Sequence, residues 1–137
     1  MTFAELECTL QLVVAPGRTI PVSAYFSYRS WDPYCIHVSF YNEGQTPVSW
    51  AFARDLLAEG MVRASGLGDV RIRPGDGEQS GLLCLELSSP EGHALLTMPV
   101  DVLIPWLGQT YHLVPVGFED TSLDLDGELS RLLGEVA

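Results

Sequence analysis

The chain has 137 residues, an apolar fraction of 47%, and 18 Asp and Glu against 7 Arg with no Lys, for a formal net charge of −11. That length suits one domain around one core, and the apolar content excludes wholesale disorder. A field of that sign repels phosphate backbones and anionic membrane surfaces, so nucleic acid and lipid rank low among candidate partners.

No apolar run is long enough to span a bilayer, because Pro and charged residues interrupt each one. The start, Met1-Thr2-Phe3-Ala4-Glu5, lacks a basic region followed by an apolar stretch, so no secretory signal is read and a cytoplasmic location is expected. Cys8, Cys35 and Cys84 are widely spaced, odd in number and without a CxxC pair. They read as small buried hydrophobes in a reducing compartment.

In chain order, Leu6, Cys8, Leu10, Leu12 and Val14 alternate with more polar residues and predict a half-buried strand. After the turn Ala15-Pro16-Gly17-Arg18, Ile20 to Tyr28 predicts a second strand, antiparallel to the first, with Pro21 at its beginning or on an edge. Asp32-Pro33 breaks the pattern. Tyr34 to Tyr41 is a third strand with Ile36, Val38 and Phe40 on one face, followed by a turn at Asn42-Glu43-Gly44-Gln45. Val48 to Phe52 is a fourth, with Trp50 and Phe52 on one side.

That strand runs without a loop into a short helix, Arg54 to Gly60, in which Leu56 and Leu57 bury while Arg54, Asp55 and Glu59 stay near solvent. Gly60 is read as its stop. Val70 and Ile72 alternate with Arg71 and Arg73 in a fifth strand. Leu82 to Leu87, apolar on both faces apart from Glu86, is a sixth with a central position, and Glu86 is placed opposite Arg71 or Arg73. His93 to Met98 is a seventh.

Beyond Pro99 the period becomes helical, with Leu103, Trp106, Leu107, Thr110 and Val114 on one face and Pro105 placed in or near the first turn. Leu125, Leu129, Leu132 and Leu133 predict a final amphipathic helix, with Asp124 or Asp126 suiting the dipole at its start. The fold class is therefore α+β: about seven antiparallel strands, a short mid-chain helix and C-terminal helices, with residues 1–137 read as one domain.

No catalytic motif stands out. Asp124, Asp126 and Gly127 fail the calcium-loop spacing, because the closing acid position is Leu133. Gly66-Leu67-Gly68 precedes a strand instead of following one, which is the wrong context for a dinucleotide loop. His37, His93 and His112 are isolated from any nucleophile in sequence. No cofactor or metal is expected. The aromatics are more suggestive: Tyr25, Tyr28, Trp31, Tyr34 and Tyr41 gather around the second and third strands. Those that face away from the core would form a docking patch.

The block Trp50 to Gly60, together with Asp32-Pro33-Tyr34, Gly66 to Arg71, Leu87 to Gly92 and the ending Leu123 to Leu129, resembles the SsgA-like proteins, and within them the SsgB branch. The resemblance runs over essentially the whole chain in order and spacing; Pro105 and Trp106 depart from its pattern. It implies a non-enzymatic actinobacterial factor of cell division and sporulation septation. Such a factor would recruit FtsZ to septum sites with an SsgA-type partner, and would be a homotrimer of Whirly-like fold. Arg54, Asp55, Tyr25, Trp31 and Tyr34 are the candidate interaction surface. The alternative is a single-stranded nucleic-acid-binding module using Arg71 and Arg73, which the acidic balance opposes.

Overall fold

The computed structural model describes residues 2–41 and 44–120. The expected helix over Leu125 to Leu133, the acids placed at its start, the match at Leu123 to Leu129 and part of the turn after Tyr41 lie outside the described residues. The described order is β1 (Phe3–Ala15), β2 (Arg18–Arg29), β3 (Asp32–Tyr41), β4 (Val48–Ala53), α1 (Arg54–Gly60), β5 (Val70–Pro74), β6 (Leu82–Ser89), β7 (Gly92–Pro99) and α2 (Val100–Leu113). The seven strands form one antiparallel sheet in the order β4-β3-β2-β1-β7-β6-β5.

Two meanders build that sheet. β1 to β4 pair in succession, as do β5 to β7, and short hairpins fix each register. The join between the halves is slight: β1 meets β7 only at Gln11 opposite Thr97 and Leu12 opposite Leu96. The sheet curls, so that Phe40, Val48 and Trp50 from one half line the same groove as Leu87, Ala94 and Leu96 from the other. Pro21 sits in β2 opposite Gln11 of β1, before the β3 ladder starts at Ser23, so its missing N–H leaves no gap in that ladder.

Alternation sets which face buries. Leu10, Phe26, Ile36 and Val38 point inward with no more than 1% exposure, and Ile72 and Leu103 are fully buried with them. β6 lies between β7 and β5, and consecutive residues Leu83, Cys84 and Leu85 are all buried, so both of its faces are covered there. In that hairpin Glu86 lies opposite Arg71 and its carboxylate is 3.6 Å from Arg73 Nε.

The helices cover the inner face. α1 packs on β3 and β5, and α2 packs on β1 and β7. Leu103, Trp106, Leu107 and Thr110 form the buried stripe of α2, and Trp106 meets Phe26 with ring centroids 5.8 Å apart. Trp106, a departure from the family pattern, is thus a core residue.

Two expectations need correction here. Pro105 is not in the first turn: α2 begins at Val100, so Pro105 stands in the second turn, where its ring nitrogen cannot donate to the Asp101 carbonyl. Gly60 ends α1 for a different reason than a left-handed cap. A side chain there would run into Ile72 of β5, so glycine permits the helix to touch the strand. The loop before β5 closes where Ser65 and Ile72 exchange backbone hydrogen bonds of 2.9 and 3.0 Å, around Gly66 at a φ of 102°.

Candidate interaction surface

Arg54 is the residue whose place differs most from expectation. It is only 1% exposed, not near solvent, and so it presents nothing to a partner. Its position at the first residue of α1, directly after β4, aims the side chain inward beneath α2. Nη1 donates to the carbonyls of Thr110 at 3.0 Å and Val114 at 2.8 Å, and Nη2 donates to Glu119 Oε1 at 3.0 Å. The guanidinium carbon lies 4.8 Å from the ring centre of Tyr28 and 4.2 Å from that of Tyr111.

This arrangement satisfies the carbonyl end of α2 with a cation supplied from elsewhere in the chain, which also suits the helix dipole. Glu119 is held further by the Gly117 amide, which donates to Oε2 at 2.9 Å. Hydrogen bonds from its own amide, from Arg54 and from Gly117 keep the Glu119 carboxyl below its usual range. Burial pushes the Tyr28 phenol up to about 12 against the opposing pull of Arg54, and its hydroxyl donates to the Pro33 carbonyl at 2.9 Å. The cluster holds charge in place through both Nη nitrogens of Arg54, while its Nε is buried with no partner among the described residues.

The other predicted residues scatter. Asp55 is exposed in the first turn of α1, where its charge suits the helix dipole, and it does not pair with Arg54. Tyr34 is 43% exposed and its hydroxyl bonds to the Asp120 carboxylate, beside the Arg54 cluster. Tyr25 and Trp31 do come together. With Phe3, Glu5, Ser27 and Arg29 they line a small groove on the outer side of β1 and β2.

A larger trough, about 570 Å³, adjoins it along the same strands, lined by Glu7, Cys8, Thr9, Ser23, Ala24, Tyr25 and Tyr41. Tyr25 belongs to both. Its phenol is pushed up to about 12, first by a hydrogen bond to Glu5, then by burial and by the charges of Glu5 and Glu7. Reasoning from the sequence named Tyr25 and missed Glu5 and Glu7. The signal was available: the first hairpin's register sets Glu7 opposite Tyr25, and Glu5 shares that face two residues away.

Candidate chemistry is sparse elsewhere. Asp32 Oδ2 lies 3.0 Å from His37 Nε2, and the same carboxylate acts on the Cys35 thiol. Burial, followed by Asp32, pushes that thiol up, which is opposite to the thiolate a nucleophile requires. Ser88 Oγ is 3.3 Å from His93 Nδ1 on an exposed hairpin. Among the described residues no third group orients that imidazole, and no group of three or more His, Cys, Asp or Glu is placed to hold a metal. Arg73, proposed for strand-binding, is engaged by Glu86. Among the described residues no helix is long and apolar enough to cross a membrane.

Fold and surface together define an α+β protein on a curled antiparallel sheet, with helices pinned inside and an aromatic, acidic face outside. The chain belongs to the SsgA family, on its SsgB branch: the family model described as "Streptomyces sporulation and cell division protein, SsgA" matches residues 22–119. The sporulation-specific cell division protein SsgB of Streptomyces coelicolor is 45% identical over 134 residues, 98% of each chain. The SsgB of Frankia casuarinae is 42% identical, over 93% of this chain and 89% of its own. The solved structure of the SsgA-like sporulation-specific cell division protein from Thermobifida fusca superposes with a TM-score of 0.86 at 38% identity, covering 95% of both chains. A solved SsgB structure, tied to mutations that correlate with longitudinal cell division in Streptomyces coelicolor, superposes with a TM-score of 0.83 at 43% identity. It covers 88% of this chain and 95% of that one.

Proposed function

We propose that the protein is a non-enzymatic septation factor, acting as one SsgA-like domain in the cytoplasm at the division septum. It recruits FtsZ through protein contacts, together with an SsgA-type partner, as a homotrimer of Whirly-like fold. The observation that carries this reading is end-to-end likeness: 98% of the chain aligns with 98% of a relative named as a sporulation-specific cell division protein. The geometry supports it in a second way. In the most elaborate polar cluster, both terminal nitrogens of Arg54 are committed to carbonyls and a carboxylate inside the fold, while no described helix covers the aromatic sheet face.

The experiment is replacement of the resident SsgB in a sporulating actinomycete by this chain, with fluorescent FtsZ followed during aerial growth. The expected result is restored ladders of FtsZ rings and septate spores. Hyphae that stay aseptate despite normal levels of the folded protein would contradict the reading. Solution mass measurement tests the trimer separately.

A further inference from the structure

The outer side of β1 to β3 is a sheet face that no described helix or strand covers, since α1 and α2 both pack inside the curl. Glu5, Glu7 and Thr9 on β1 stand exposed beside Ser23 and Tyr25 on β2, and Tyr41 at the end of β3 is 44% exposed. The trough and the smaller groove share Tyr25 and succeed one another along β1 and β2, an arrangement that an extended chain could follow. Glu7 lines the trough and Glu5 the adjoining groove, Tyr25 and Tyr41 line the trough, and among the described residues the cation that lines either is Arg29, in the smaller groove.

We propose that this face is a docking trough for an extended, arginine- or lysine-rich segment of a protein partner, with Tyr25 and Tyr41 as its stacking surfaces and Glu5 and Glu7 as its counter-charges. The inference rests on the reading of the protein as a division factor working through protein contacts, and it names the chemistry of one partner. A cation over a tyrosine ring gains from the ring's negative face, and a nearby carboxylate adds a salt-dependent attraction. The hairpin register sets Glu7 directly opposite Tyr25 and Glu5 two residues away on the same face, so both carboxylates stand beside the ring.

Charge also decides against a second copy of this chain on the trough. With 18 acids against 7 arginines, another copy brings mostly like charge to Glu5 and Glu7. Arg54 is buried and Arg73 is engaged, and the exposed arginines among the described residues, Arg18, Arg63 and Arg71, lie apart in sequence and do not make a cationic segment.

The test is fluorescence anisotropy with a labelled peptide that alternates arginine and valine, titrated with the full chain, and with a glutamate–valine peptide as control. The expected result is saturable binding of the arginine peptide alone, weakened by added salt. In the Glu5→Gln/Glu7→Gln variant, exposed charges are neutralised without touching the core, and binding is expected to fall at least about fivefold. Tyr25→Phe keeps the ring and should keep most of the binding, whereas Tyr25→Leu should lose it. Equal binding of both peptides, or arginine binding indifferent to the double substitution, overturns the proposal. A parallel capture assay with FtsZ separates the failures. If the peptide fails while FtsZ is held in a Tyr25-dependent way, the cationic chemistry alone is wrong. If FtsZ capture is absent as well, the reading of the protein as its recruiter falls too.

Discussion

The cluster around Arg54 and the face around Tyr25 are built from similar parts, tyrosine rings and glutamates, yet they do opposite work. Inside, the guanidinium lies against Tyr28 and Tyr111, and its two terminal nitrogens are matched to two carbonyls and a carboxylate. The charge there is matched, desolvated and committed to holding α2. Outside, Glu5 and Glu7 are exposed, Tyr25 is half-buried, and among the described residues no cation lines the trough. The same chemistry is structural where the chain supplies both partners, and is left exposed where it supplies one.

Removing the inner cation should have the largest effect. Arg54→Met leaves the Glu119 carboxylate and two helix-end carbonyls without their partner, and a loss of about 3–5 kcal/mol is expected by chemical denaturation. A loss under about 1 kcal/mol would dissolve the contrast between inside and outside. Gly60→Ala comes next. The new methyl meets Ile72, which is fully buried and cannot move aside freely, so about 1–3 kcal/mol is expected.

Acid sharpens the contrast further. The Glu119 carboxyl is depressed in the folded protein, so its contribution is complete above the ordinary carboxylate range. It is lost as pH falls through the lowered folded value. A Glu119→Gln variant should be less stable at neutral pH and should show a flatter decline on acidification, measured by thermal melts across pH. An unchanged slope would show that other carboxylates carry the acid response. The smallest stability effects belong outside: Glu86→Gln should cost only about 0.2–1 kcal/mol, because its pairing with Arg73 is solvent-exposed.

Local pattern made most of the fold legible. Alternation placed Leu10, Phe26, Ile36 and Val38 inside, and the helical period picked out Leu103, Trp106, Leu107 and Thr110. The Trp50 to Gly60 joint was visible because a period of two gives way to strong helix formers. Three features were hidden, each because its cause is distant in sequence or one turn out of register. Arg54 looked like an exposed helix residue, since its acceptors lie 56, 60 and 65 residues away. The closure of β1 on β7 rests on two residue pairs that no local pattern announces. Pro105 was misplaced because Val100 and Asp101 carry no cap signal, and Pro99 in front of them reads as a breaker. At the outer face, Tyr25 was legible as an aromatic, whereas its companions Glu5 and Glu7 required the hairpin register.

If the Tyr25 face is the proposed docking surface and Arg54 serves only the fold, a change at Tyr25 should weaken partner binding without weakening the fold. The deciding measurement is binding of purified FtsZ to the wild-type protein and to Tyr25→Leu, at matched melting temperature. Measurable affinity is expected for the wild type, with a loss of at least about tenfold in the variant. Equal affinity in both, or none in the wild type, overturns this assignment.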